Sequence, residues 1–242
     1  MIKPLLFNTE MVKATLNDQK TETRRVVKPT PPKNARLELV GDRRHAVDLS
    51  IDIPGPDDHR IYTPPYLPGD ILYVRERWRV GAWSGPGFPL MAFDYADGTC
   101  GPMVDLTDRD MFFRLVGQSR EDARKANCEF DGIDYVWDQG QAPTRWRPSI
   151  HMPKKAARIF LRVTDVRVER LQEITDEGAK AEGANNGIGV SDKMRETAIQ
   201  RFQRIWDSTI KPTELSSYGW DANPYVWAIE FERCEKPWPN IK

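Results

Sequence analysis

The sequence predicts a mainly β chain of the α+β class, a small β-barrel with peripheral helices and an irregular insertion. Three observations lead there. Short stretches of alternating apolar and polar residues rich in Val, Ile, Tyr and Trp recur along the 242 residues, few segments show helical spacing, and 19 prolines and 16 glycines punctuate the connections. The length is enough to bury a core without disulfide or metal staples. Eight tryptophans argue against wholesale disorder, although hydrophobic residues reach only 39%.

The elements follow in order. A short strand over residues 5–7 precedes Asn8 or Thr9 as N-cap, and Met11, Val12 and Leu16 space a helix that ends near Asn17-Asp18. Residues 20–27 alternate as a strand. Eight prolines between Pro29 and Pro68 predict a long connection, with a hairpin around 37–40 and 46–51. After the Pro68-Gly69-Asp70 turn, residues 71–78 read as one strand with Leu72, Val74, Glu76 and Trp78 on a shared face. Residues 79–143 read as an insertion with a strand near 90–95 and another segment near 132–137. Residues 157–170 form one long strand or two, broken at Thr164-Asp165. Thr175 opens a short helix to Glu182, ended by Gly183. A helix spans 192–208 with Met194, Ala198, Phe202, Ile205 and Trp206 at helical spacing, and a strand over 224–232 closes the chain. The whole reads as a single domain over 1–242, with insertions at about 30–60 and 80–143.

Net charge is zero, which lends no support to a strongly basic nucleic-acid binder, but the charge is segregated. Residues 1–45 hold ten basic against five acidic side chains, and residues 144–170 eight against two. Residues 94–138 hold eleven acids against five bases. If the two basic segments meet, they form a positive face suited to a phosphate-bearing partner. Local pairing on solvated faces is the plainer reading of the same pattern.

No run of about 18 apolar residues occurs, and the amino terminus turns polar too early for a signal peptide, so a cytoplasmic protein without a membrane partner is expected. Cys100, Cys128 and Cys234 are odd in number and form no Cys-x-x-Cys pair. His45, His59 and His151 have no ligand spacing, so no metal site is expected. No nucleophile elbow or phosphate loop is present, and no cofactor is implied.

What remains is the strip Lys20-Thr21-Glu22-Thr23-Arg24-Arg25, where a turn at Lys20 brings its amine toward Thr23. A lysine held in a pocket loses hydration, its proton affinity falls, and it can serve as a base toward a hydroxyl or water. On spacing alone, a strip of surface charges pairing with one another accounts for these residues as well. Tyr73, Trp78 or Trp146 are candidates to stack a base, with Lys20, Arg24, Arg25, Arg145 and Arg147 on phosphates. Glu76 needs an arginine or a cleft, since a buried unpaired carboxylate is costly, and His151 is a possible polar pocket contact or a turn residue.

Asp18-Gln19-Lys20-Thr21-Glu22-Thr23-Arg24, then Tyr66-Leu67-Pro68-Gly69-Asp70-Ile71-Leu72-Tyr73-Val74 and a closing aromatic strand, resemble the ASCH domain family, a branch of the PUA-like barrels. The chain departs from the common pattern at Asp18, where glycine is usual, and at Glu22, one place early. It is closer to the Lys-Thr-x-Thr-x-Arg variant of members that remove the acyl group from N(4)-acetylcytidine. The segment 146–153 and Asn223-Pro224-Tyr225-Val226-Trp227 look like phage and prophage ASCH proteins, which implies a bacterial or phage-infected cell. The resemblance implies Lys20 and Thr23 as catalytic residues and Glu182 as the third, with Glu177 the weaker match, and Arg24 holding a carbonyl or phosphate oxygen. Three functions follow as expectations. The first is recognition of RNA, DNA or a modified nucleoside in a basic cleft. The second is hydrolysis of an amide on an acylated cytidine, and the third is a structural or regulatory phage interaction protein.

Overall fold

The structure, a computed structural model, describes residues 1–32, 34–40, 45–48, 61–85, 87–184 and 196–237. Lys33, Arg43, Arg44 and His59, the end of the predicted hairpin over 49–51 and the start of the predicted helix over 192–195 lie outside them. The elements are β1 (Ile2–Leu6), α1 (Thr9–Leu16), β2 (Glu22–Val26), β3 (Leu37–Val40), β4 (His45–Asp48), β5 (Ile61–Tyr62), β6 (Ile71–Arg75), β7 (Trp78–Trp83), β8 (Leu90–Tyr95) and β9 (Val104–Asp105). They continue as α2 (Arg109–Lys125), β10 (Glu129–Phe130), β11 (Tyr135–Val136), β12 (Phe160–Arg170), α3 (Asp176–Ala181), α4 (Ala198–Thr209), α5 (Leu215–Tyr218) and β13 (Tyr225–Cys234). Strands outnumber helices, as the alternation predicts.

The chain forms two compact units. The first comprises Met1 and residues 14–71 and 162–233. In it β12, β13 and β2 lie side by side in that order, with β13 antiparallel to β2 so that Ile229 faces Thr23 and Glu230 faces Glu22. β3, β4 and β5 form a separate three-stranded sheet. β12 is continuous through Thr164-Asp165, but its buried positions pass from Leu161 and Val163 to Val166, a change of parity that reads in the sequence as a break. The core of this unit packs Leu171, Ile174, Ala179 and Ala184 against Ala198, Phe202, Trp206 and Val226. The Pro68-Gly69-Asp70 turn requires a glycine, because Gly69 has φ +86°.

The second unit comprises residues 2–13, 72–161 and 234–242. It holds β1, β6 and the start of β12 in that order, the three-stranded sheet β7-β8-β9 and the hairpin β10-β11. The single strand predicted over 71–78 is two. Arg75 accepts from Phe7, whereas Trp78 exchanges both backbone hydrogen bonds with Arg147, so the chain changes partner at Glu76–Arg77. The region read as mostly irregular also contains α2, seventeen residues long. Asp108 caps it by accepting from Met111 N, and Phe112, Leu115, Val116, Ser119 and Ala123 form its buried stripe. Its charged outer face hides that stripe from a reading by composition.

The strands form open sheets, and no sheet closes on itself among the described residues. Each strand order among the described residues starts and ends on different strands, so every sheet is open.

Candidate functional site

The Lys20 strip is built by two helix ends. Asp18 adopts φ +56°, a left-handed conformation that Asp tolerates better than most residues, and lets Gln19 and Lys20 both donate to Ala14 O at the end of α1. On the facing segment Thr175 caps α3 by accepting from Gly178 N at 3.0 Å. At its other end Gly183 N donates to Lys180 O and Ala184 N to Ala179 O, a Schellman motif with Gly183 at φ +89°. Thr21 N then donates to Ala181 O, and Lys20 pairs with Glu182 in an antiparallel bridge. A Cβ on Gly183 would lie 2.9 Å from the Ala14 Cβ. Gly183→Ala is therefore expected to lower stability by more than about 1 kcal/mol, read as a fall in the chemical-denaturation midpoint.

These caps place Lys20 in full burial, its side chain 0% exposed and that of Glu182 5%. Lys20 Nζ donates to Glu22 O at 2.8 Å, Glu182 O at 2.9 Å and Glu182 Oε2 at 2.5 Å. Arg24, on the same side of β2 as Glu22, reaches Glu182 Oε1 at 3.4 Å, Glu22 Oε1 at 2.5 Å and Glu169 Oε1 from its Nε at 2.9 Å. Arg167 continues the series, pairing with Glu22, Glu230 and Glu169. The signs alternate from Lys20 outward. Burial pushes the Lys20 amine below the usual lysine range, while Glu182 pulls it back and Arg25 and Arg24 add to the fall. Over the outer end, a cavity of about 390 Å³ is lined by Thr21, Glu22, Arg167, Thr175, Gly178 and Glu230.

Thr23 points to the opposite side of β2 from Glu22 and Arg24, and its hydroxyl accepts from Arg25 Nη1 at 2.9 Å. Arg25 also donates to Arg24 O at 2.8 Å. Burial lowers the proton affinity of Arg25, and the charges of Glu182 and Tyr66 counter that fall. The structure thus joins Lys20, Glu182 and Arg24 directly, and links Thr23 to the group through Arg25. Arg24 is not placed to hold a phosphate: it is buried among three carboxylates that already match its charge.

The other predicted contacts belong to the second unit. Trp78, Arg145, Trp146, Arg147 and His151 line one cavity of about 310 Å³, joined by Arg114 from α2. Trp78 is 1% exposed and packs edge-on against Phe93 at 5.3 Å, so its ring is not a stacking platform. Trp146 is 36% exposed, and the guanidinium groups of Arg77 and Arg79 lie over its ring at 5.5 and 4.7 Å. Arg145 is tied to Asp122. Tyr73 is buried, with Arg75 and Lys154 near its ring, and does not line the cavity. Glu76 takes two parallel hydrogen bonds from Arg158, both at 2.8 Å, and Arg158 also reaches Asp97 at 2.7 Å. That pairing answers its need for an arginine and leaves it no cleft role. The sequence reading missed Arg114, whose place on a capped amphipathic helix is the signal that was there to find, and Glu169 and Arg158, which carry no local signal.

Arg24, Arg145, Arg158 and Arg167 from the two basic segments are each paired with carboxylates, so these four arginines are internally neutralised. The three cysteines are free thiols, and among the described residues no group of three or more His, Cys, Asp or Glu is placed to hold a metal. No described helix is long and apolar enough to cross a membrane. No family model, curated protein or solved structure matches the chain.

Proposed function

We propose that this chain is an ASCH-like protein of the PUA-like class, and that the charged cluster of Lys20, Glu182 and Arg24, next to the cavity lined by Thr21, Glu22 and Arg167, recognises a nucleobase of cytosine type in a nucleic acid or a modified nucleoside. The observation that supports this reading is the state of one carboxylate: Glu182 Oε2 accepts from Lys20 at 2.5 Å, while among the described residues Oε1 has only the 3.4 Å contact from Arg24. A carboxylate oxygen with acceptor capacity suits the exocyclic amino group of cytosine. The expected result is that cytidine or a cytidine-containing oligonucleotide binds at low salt, and that Glu182→Gln weakens binding about tenfold while its circular dichroism matches the parent. A parent protein that binds neither probe overturns the reading.

A second reading, an amidohydrolase acting on an acylated cytidine, draws on the lowered proton affinity of buried Lys20. In it the neutral amine takes a proton from water, the water oxygen bonds to the acyl carbon as the acyl C–N bond breaks, and the amino nitrogen of the leaving base is reprotonated, so that a carboxylate and cytidine are released. The rate then rises with pH as Lys20 deprotonates. Incubation of the parent with N(4)-acetylcytidine, followed by chromatography, decides it: no release of cytidine removes this reading and leaves recognition standing.

A further inference from the structure

Two residues that line the cavity of the second unit carry side-chain donors that no acceptor among the described residues meets. Arg147 Nε and Nη2 and Trp78 Nε1 are buried and have no hydrogen-bond partner among the described residues. The backbones of the two residues satisfy each other, Trp78 N donating to Arg147 O at 3.2 Å and Arg147 N to Trp78 O at 2.7 Å. The shortfall lies in the side chains alone. Native proteins leave few such groups unmet, and the cost is larger when the donor is charged.

Three arginines, Arg114, Arg145 and Arg147, line this cavity, and no Asp or Glu does. Only Arg145 has a matching carboxylate, Asp122; Arg114 and Arg147 form no ion pair among the described residues. The Arg147 guanidinium lies instead over the Trp78 ring at 5.5 Å. Burial weakens its hold on its proton and the charge of Arg145 adds to this; Asp122 offsets part of the effect, and Arg114 adds a smaller push.

We infer that the cavity lined by Arg114, Arg145, Trp146 and Arg147 binds a phosphate group, with Arg147 and Arg114 as its counter-charges. Arginine forks match phosphate oxygens, and a dianion supplies the negative charge that the lining lacks. Because Arg77 and Arg79 already lie over Trp146, the ligand is held by charge and not by base stacking. The site stands on residues of the second unit alone and does not depend on the Lys20–Glu182 cluster.

The experiment is calorimetric titration of the full chain at low salt with inorganic phosphate, cytidine 5′-monophosphate and a short single-stranded oligonucleotide, with free cytidine as the probe of the Lys20–Glu182 cluster. The expected result is binding of the phosphate-bearing probes that weakens with salt. Arg147→Met and Arg114→Gln should each lower inorganic phosphate affinity about tenfold and leave cytidine affinity unchanged. A monophosphate stronger than the oligonucleotide identifies a terminal phosphate; the reverse identifies a backbone diester. No binding of any phosphate-bearing probe overturns the proposal, whatever cytidine does. So does unchanged phosphate affinity in Arg114→Gln, whose position on the exposed face of α2 keeps the test open if Arg147→Met does not fold.

Discussion

Lys20→Met is expected to destabilise the protein by about 3–5 kcal/mol, a large share of the stability of an ordinary domain. The reason is what the substitution leaves behind. Methionine fills much of the space, but the Glu182 carboxylate, 5% exposed, loses its closest cation, and two backbone carbonyls, Glu22 O and Glu182 O, lose a donor. Arg24 at 3.4 Å, already engaged with Glu22 and Glu169, compensates only in part. Removing both charges together is far less costly than removing one, so Lys20→Met/Glu182→Met should recover a substantial part of the loss. Urea unfolding of the parent, both single variants and the double variant closes the cycle. A Lys20→Met midpoint within about 0.5 kcal/mol of the parent would show that the pair does not hold the α1 and α3 ends together. The same expectation governs any activity assay: loss of turnover in Lys20→Met reports chemistry only after its folded fraction has been measured.

The second large effect is expected at Arg158→Met, about 3 kcal/mol, at the lower end because this side chain is 20% exposed. Arg158 holds Glu76 and Asp97 at once and lies 4.1 Å from the centre of the Tyr95 ring. Burial pushes the Glu76 carboxyl above the usual carboxylate range, and Arg158 pulls it back. Without Arg158 it rises further, so the folded state binds its proton more tightly than the unfolded chain does. Stability is then lost as pH rises from the unfolded carboxylate value, near about 4.3, through the folded one. Asp97 behaves in the opposite sense. Burial pushes it up, but Thr99 and Arg158 together bring it below its ordinary value, so its contribution is lost as pH falls. The variant should therefore lose more stability at pH 7 than at pH 4.5. Equal losses at the two pH values would show that Glu76 does not keep a raised proton affinity in the variant.

Sequence alone determined the elements whose causes are local. The Asn8 or Thr9 start of α1, the alternation of β2, the 90–95 strand, the Thr175 and Gly183 caps of α3 and the strand at Tyr225 each depend on residues within a few positions of one another, and each is found where the pattern puts it. α2 was equally local, with Asp108 as cap and an apolar stripe, but its charged outer face outweighed that stripe in composition. Only the tertiary structure decided which charges meet. Glu182 reaches Lys20 across 162 residues and Arg158 reaches Glu76 across 82, and no local periodicity encodes either pairing. The same holds for what stays unmatched: the sequence offers Trp78 and Trp146 to stack a base and Arg147 to contact phosphate, and packing alone buries the first ring, covers the second with arginines and leaves Arg147 without an ion pair among the described residues. Backbone hydrogen bonding and side-chain alternation act over a few residues, whereas burial and Coulomb interactions act through space, and the Lys20–Glu182 and Arg158–Glu76 pairings are made of the latter.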